Sequence, residues 1–352
     1  MDFIKIEGVS ICGIAACVPG KILNNLECGL ELFGSDLEGA IKVTGVKERR
    51  VCDEGSATSL DLCVKAAKTL QSAGDYDYSS FGGLVFVTQT PDLLLPNNAT
   101  YAHALLGLPQ NTPAFDINLA CSGYPYGLWI AGMMARASDK PIVLLDGDTH
   151  SHFVSPYDRA TALLFGDAGT ATVLEPNGMA SPWYFDFVTD GNLRDVLTIC
   201  DGGYRNRVNR ESADYVEQVD GVVRRAIDMK MDGMAVFNAV VRHAPNSLRR
   251  VMEAAANSAA DYDFLLLHQA NLMMIRQVAK TLGFAKEKLP VSLDKYGNVS
   301  SASIPLTMCS VLRHSISAQQ NTVLMSAFGA GFTLGPASQM MGPRICPARE
   351  IL

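Results

Sequence analysis

The chain has little charge and no long apolar run. Charged residues make up 18% of its 352 residues and hydrophobic ones 48%, a balance that excludes a disordered chain and leaves enough apolar material for a sizeable core. The formal net charge of -7 lacks the basic surplus that nucleic-acid binding requires, so nucleic acid is not expected as a partner. Any acidic partner would have to meet a local basic patch. No segment reaches the roughly 18 uninterrupted apolar residues of a membrane span, and no membrane is expected as a partner. The opening MDFIKIEGVS has no apolar run after a basic stretch and does not read as a secretory signal. The nine cysteines include no C-x-x-C pair and are odd in number, which predicts reduced thiols and a cytoplasmic protein. His103, His150, His152, His243 and His314 show no ligand spacing with cysteines or carboxylates, so neither a metal nor a resident cofactor is expected. The segment FGDAGTATVLE (165–175) meets neither Walker nor dinucleotide spacing and reads as close strand packing.

What is present is alternation. GLVFVTQT, PIVLLDGD, FLLLHQ and TVLMSAFG are brief, apolar and bounded by turn or polar residues, as buried strands are. SLDLCVKAAKTLQSA, YPYGLWIAGMMARA, NSLRRVMEAAANSA and NLMMIRQVAKTL repeat their apolar residues every three or four, as amphipathic helices do. Together they predict an α/β protein with a mostly parallel sheet. The chain also resembles itself. SLDLCVKAAKTLQSAGDYDY (59–78) parallels SLRRVMEAAANSAADYDF (247–264), and each leads to a strand reaching a glutamine, Gln89 or Gln269. Gln89 to Gln269 is nearly the same step as Cys121 to Asn298. We expect two similar halves, 1–178 and 179–352, packed about a pseudo-dyad with Cys121 and Asn298 facing one site. The Pro, Gly and Asn of EPNGMASPW support that boundary.

Cys121 ends a β-like run and directly precedes a long apolar helix. A thiol there gains from the free N–H groups and dipole of the helix, which predicts a lowered pKa. Ser122 and Gly123 are expected to leave room for a substrate carbonyl. By itself this fragment reads equally well as a buried structural cysteine. His268 closes the strand FLLLHQAN, where a parallel sheet commonly presents its chemistry. Asn298 lies in a Gly-Asn loop before a Ser-rich helix start. Both can donate to a developing oxyanion or enolate. Each also has an ordinary reading, His268 as a satisfied core histidine and Asn298 as a turn residue. FGAGFTLG (328–335) could bring a backbone N–H beside Cys121.

TGVKERR (44–50), PAFDINLACSGYPYGL (113–128), DRATALLFGDAGTA (158–171), LHQANLMMI (267–275), YGNVSSASIPL (296–306) and SAFGAGFTLG (326–335) stand in order along nearly the whole chain. In these motifs the chain resembles the β-ketoacyl-acyl-carrier-protein synthase III family, condensing enzymes of the thiolase fold. The resemblance implies a five-layered αβαβα core of two duplicated halves. It implies that Cys121 takes an acyl group from a thioester, and that His268 and Asn298 hold the thioester oxygen of a malonyl group as carbon dioxide leaves. The backbone N–H groups of Cys121 and Ala330 would cradle the tetrahedral oxyanion, and Phe328 would shield the carboxylate. Arg159 matches a retained nucleotide contact. Gly39 and Val43 stand where the family often has a Trp and an Arg that clamp coenzyme A, and Met234 stands where an Asn contacts pantetheine. Met273 replaces a carrier-docking Arg, with Arg276 and Lys280 nearby. Acyl thioesters of coenzyme A or of carrier protein are therefore both open as substrates. The family's homodimer, with each subunit reaching into the other's acyl pocket, implies Leu95 in that role and a pocket wider than acetyl needs.

Three other readings compete. A thiolase-fold acyltransferase would keep Cys121 and pass its acyl group to an amine, hydroxyl or other carbon nucleophile. A papain-like Cys-His-Asn hydrolase has the same residue order but needs a cysteine motif that is absent here. A hydroxymethylglutaryl-type synthase needs a Glu near the thiol, and none is evident.

Overall fold

The computed structural model describes residues 3–342 and 344–352. Two six-stranded sheets organise them. The first runs Glu350–Ile351, Val9–Val18, Ala168–Pro176, Ile142–Asp148, Gly83–Val87, Ala114–Ile117. The second runs Ile4–Ile6, Trp183–Phe185, Thr333–Met341, Asn321–Gly329, Phe264–Leu267, with Val188–Thr189 also paired to Thr333–Met341. The hydrogen-bonding pattern repeats. Gly83–Val87 is parallel to Ile142–Asp148, which is antiparallel to Ala168–Pro176. In the same way Phe264–Leu267 is parallel to Asn321–Gly329, which is antiparallel to Thr333–Met341. The duplication expected from the two glutamine-tipped strands is therefore present as topology. The two ends of the chain are exchanged: Ile4–Ile6 joins the second sheet and Glu350–Ile351 the first.

Five layers follow from which faces are apolar. Helix Gly123–Ser138 and helix Ser303–Ser310 lie between the sheets, the first packing on strands of both. Ser303–Ser310 is buried nearly all round, and Gly123–Ser138 has no exposed residue over its first ten positions, as a central helix must be, before its last turn emerges. Ser59–Gly74 and Asn98–Leu106 cover the outer face of the first sheet. Gly233–Ala254 and Leu272–Leu282 cover the second, Leu272–Leu282 keeping Met273, Arg276 and Lys280 outward and Met274, Ile275, Val278 and Ala279 inward. This is the thiolase-like architecture.

The helix predicted from Asn246 starts instead at Gly233 and passes through Pro245. Proline usually marks a helix boundary because it lacks an N–H. Here Ala239, Val240, Ala244 and Leu248 bury a continuous stripe on both sides of it, and that packing carries the helix through. The close packing expected of FGDAGTATVLE is present in strand Ala168–Pro176: a β-carbon on Gly169 would lie 2.4 Å from the backbone N of Cys63 in the covering helix.

Among the described residues no helix is long and apolar enough to cross a membrane.

Candidate active site

Cys121 sits in the tight connection between strand Ala114–Ile117 and helix Gly123–Ser138. The helix is pressed onto strand Gly83–Val87, where a β-carbon on Gly123 would meet Val87 Cγ1 at 2.2 Å. The space expected beside Ser122 and Gly123 is thus filled by Val87, while the Ser122 hydroxyl pairs with the Thr333 hydroxyl at 2.5 Å. Cys121 borders the cleft together with Phe328 and Gly329. A lowered thiol pKa does not result either. Burial pushes the Cys121 thiol up to about 12, the nearby Asp148 and Asp146 push the same way, and only the Ser300 hydroxyl and the local backbone oppose them. The helix end contributes little because Cys121 precedes it and the Gly123 N–H already donates to the Ala120 carbonyl at 2.6 Å.

His268 follows the last residue of strand Phe264–Leu267, and its N–H still donates to the Ser326 carbonyl at 2.9 Å. The ring is fixed on two sides: Nδ1 lies 2.8 Å from Ser303 Oγ, and the ring meets Phe328 edge-on with centroids 5.3 Å apart. Burial pushes its pKa down to about 3, with a hydrogen bond from the ring to the Ser300 backbone carbonyl pulling the other way and His150 adding to the drop. The imidazole is neutral at any ordinary pH.

Asn298 is stitched to the other half of the chain. Its N–H donates to the Leu164 carbonyl at 2.9 Å and its carbonyl accepts from the Gly166 N–H at 3.0 Å. Gly166 is needed here, since a β-carbon would fall 2.2 Å from the Tyr296 carbonyl oxygen. The side-chain Oδ1 accepts from the Ser300 N–H at 2.9 Å. With its oxygen occupied, the amide can present its NH2 as a donor.

These three side chains and Phe328 line a single cleft. Its walls are otherwise mostly apolar, with Leu164, Phe165, Val196, Leu197, Met231, Val236 and Phe332 among them, and none of its lining residues is Lys or Arg. A thiol, a neutral imidazole and an amide on one apolar floor suit thioester chemistry, where charge develops on sulfur and on a carbonyl oxygen.

Two family descriptions match in sequence: 3-oxoacyl-[acyl-carrier-protein (ACP)] synthase III over residues 115–191 and its C-terminal region over 252–339. A putative 3-oxoacyl-[acyl-carrier-protein] synthase 3 of Campylobacter jejuni is 32% identical over 95% of this chain and 94% of its own. A β-ketoacyl-[acyl-carrier-protein] synthase III of Clostridioides difficile is 32% identical over 92% and 96%. The solved structure of 3-oxoacyl-(acyl-carrier protein) synthase from Burkholderia xenovorans LB400 superposes with a TM-score of 0.93 at 34% identity, covering 99% of both chains. The chain belongs to the 3-oxoacyl-[acyl-carrier-protein] synthase III family. Cys121 falls within the first matched region, and His268, Asn298 and Phe328 within the second.

The remaining positions singled out from the synthase III resemblance lie away from the cleft floor. Ala330 is half-buried in the turn between the two long strands, and it is Gly329 that lines the cleft. Arg159 donates to Asp36 at 3.0 Å and lies 4.7 Å over the ring of Phe33. Together with Phe33, Ala40, Ile41 and Thr44 it borders a smaller hollow that shares Leu164 with the main cleft. Phe33 was not legible as a site residue. Gly39 and Val43 are exposed on helix Leu37–Thr44, and Met234 is exposed beside the cleft-lining Gly233. Leu95 is 80% exposed and outside the cleft lining. Ser300 and Ser303, which contact Cys121 and His268, escaped sequence reading, although their signal was present as a serine cluster at a buried helix start.

Proposed function

We propose that this synthase III family member carries out decarboxylative condensation with Cys121 as nucleophile and His268 and Asn298 as oxyanion donors. The sulfur attacks an acyl thioester, the donor's thiol departs with the cysteine's proton, and Cys121 is left acylated. A malonyl thioester then enters. Loss of carbon dioxide places negative charge on its thioester oxygen, where the His268 ring and the Asn298 amide can donate. The carbon attacks the acyl-cysteine, the sulfur leaves and takes up a proton, and a β-ketoacyl thioester is released. Phe328, edge-on to His268, keeps the carboxylate end of the malonyl group against an apolar surface that favours its loss. Backbone N–H groups of Cys121 and of the Gly329–Ala330 turn are the proposed cradle for the tetrahedral oxyanion. The observation that carries this reading is the meeting of Cys121, His268, Asn298 and Phe328 in one apolar cleft.

We further place an acyl-carrier protein as partner, with Arg276 and Lys280 as its basic contacts on the exposed face of Leu272–Leu282. A second copy of the chain is the proposed cover for Leu94 and Leu95, which stand 74% and 80% exposed. Nine cysteines without a disulfide fit the reducing cytoplasm.

The test is incubation with acyl thioesters and malonyl-carrier protein, followed by intact-protein mass and product analysis. Acylation should vanish in Cys121→Ala. It should persist in His268→Ala and Asn298→Ala, while carbon dioxide release falls by roughly a hundredfold or more. Acylation that survives the loss of Cys121 defeats the assignment. Acyl transfer without carbon dioxide release would assign the chain to simple acyl transfer.

A further inference from the structure

Ser300 touches every member of the proposed catalytic set. It is fully buried, and its Oγ lies 3.6 Å from Cys121 Sγ. Its N–H donates to Asn298 Oδ1 at 2.9 Å, and its backbone hydrogen-bonds to the His268 ring. It does this from the left-handed region, at φ +53°, where a β-carbon is disfavoured and Gly would be at ease. Its position is anchored by its neighbour: Ser301 donates to Asp148 Oδ2 at 3.2 Å, while the other oxygen of Asp148 accepts the Gln89 N–H at 2.8 Å and the Thr88 hydroxyl at 3.1 Å. A strained serine held this firmly, with its hydroxyl on the reacting sulfur, is a residue whose side chain has a task.

The task follows from what else surrounds the sulfur. The cleft lining holds no cation, and the buried carboxyls of Asp146 and Asp148 raise the thiol's pKa where a thiolate would need it lowered. The Ser300 hydroxyl is the one side-chain hydrogen-bond partner of Sγ among the described residues.

We propose that Ser300 is a further catalytic residue, its hydroxyl donating to Cys121 Sγ whenever negative charge develops there. That happens twice, as the thiol attacks the acyl donor and as the sulfur leaves the condensed product. Ser300 makes and breaks no covalent bond: the thiol proton departs with the donor's thiol, and solvent returns one at the end. The proposal rests on Cys121 being the nucleophile.

The test needs no knowledge of the substrate. Alkylation of Cys121 by iodoacetamide is followed across pH in the full-length protein, with peptide mass spectrometry reading each cysteine and exposed Cys28 and Cys200 as internal references. Ser300→Ala and Ser300→Gly are both used, because Gly removes the hydroxyl while accepting the backbone; should Ala unfold the protein, Gly carries the comparison. In both variants the Cys121 profile is expected to move up by at least about one pH unit, a tenfold lower thiolate fraction at fixed pH, with Cys28 and Cys200 unmoved. Unchanged Cys121 profiles in folded variants overturn the role of the hydroxyl. A Gly variant that behaves like the parent while Ala does not also overturns it, since backbone fit would then be the cause. Failure of the parent's Cys121 to take an acyl group from acyl thioesters, read by the same peptide mass spectrometry, sinks the nucleophile reading itself, and this proposal with it.

Discussion

Replacing Gly329 by Ala adds one methyl group at the floor of the cleft. Placed on the existing backbone, the new carbon would lie 2.9 Å from the Ser122 nitrogen and 3.2 Å from both the nitrogen and Cβ of Cys121. Comfortable separations between such atoms are about 3.5–4.0 Å, so the overlap is roughly half an ångström, and most of it is with backbone. Gly329 does not need positive φ, so the collision alone decides the outcome. The strand carrying it is paired without a break from Asn321↔Met341 to Gly329↔Thr333 and cannot retreat easily. On the other side, helix Gly123–Ser138 is already against Val87. The strain therefore falls on Cys121. Overpacking of this kind costs about 1–3 kcal/mol, which in a chain of 352 residues lowers the melting temperature by roughly 1–4 °C. The effect on rate should be larger, because a shift of about 1 Å in a reacting group can cost on the order of a hundredfold. We expect a folded Gly329→Ala protein whose Cys121 acylates at least about tenfold more slowly, measured by time-resolved intact mass beside a thermal melt. Gly178→Ala is the control, because nothing lies within 4 Å of the position its β-carbon would take. A Gly329 variant that matches the parent in both melting and acylation would refute the close contact between the two halves at the nucleophile.

Other perturbations read other parts of the site. The His268 imidazole titrates near 3 in the fold and about 6.5 in an unfolded chain, so as pH falls below about 6.5 the unfolded state binds a proton that the folded state refuses. Stability is lost over that window. His268→Gln, which cannot titrate, should lose less between pH 7 and pH 4.5 by up to roughly 2–3 kcal/mol in urea melts; parallel losses in both proteins would contradict a buried neutral ring. Charge reversal of Arg276 and Lys280 should raise KM for carrier-protein substrates by about tenfold or more while sparing a small-molecule thioester, and equal effects on both would remove this helix face as the docking site. If Leu95 of a second copy bounds the acyl pocket, Leu95→Trp should shift competition between donors toward shorter chains. An unchanged preference would leave Leu95 with no part in selectivity.

How much was legible from the sequence depends on whether the signal was local. The strand ending at His268 and the helix after Cys121 announce themselves by apolar runs and periodicity, and their repetition along the chain foretold the paired sheets. The exchange of Ile4–Ile6 and Glu350–Ile351 between sheets was illegible, because strands of two or three residues carry no pattern. Gly123 misled for a different reason. A glycine beside a nucleophile suggests open space, but what occupies that space is Val87 from a strand more than thirty residues earlier, which only packing reveals. The thiol pKa failed likewise: a helix N-terminus is visible in sequence, whereas the burial and the carboxyls of Asp146 and Asp148 that outweigh it belong to the fold.

That last discrepancy bears on how the site works. Had the dipole prevailed, Cys121 would rest as a thiolate beside an imidazolium, a buried ion pair that the apolar lining could not solvate. Burial instead drives both groups neutral, the thiol upward and the imidazole downward. A neutral thiol is no obstacle to exchange between thioesters, because the proton it gives up is taken by the thiol that leaves. A neutral imidazole is what the second step needs. An imidazolium would attract the malonyl carboxylate and oppose its loss, whereas a neutral ring beside Phe328 leaves that carboxylate poorly solvated and can still donate to the enolate oxygen once carbon dioxide has gone. In the proposed mechanism the same desolvation that makes the nucleophile weak thus makes decarboxylation favourable, and the proposed donors, the Asn298 amide and the Ser300 hydroxyl, are already fixed by hydrogen bonds in the resting site.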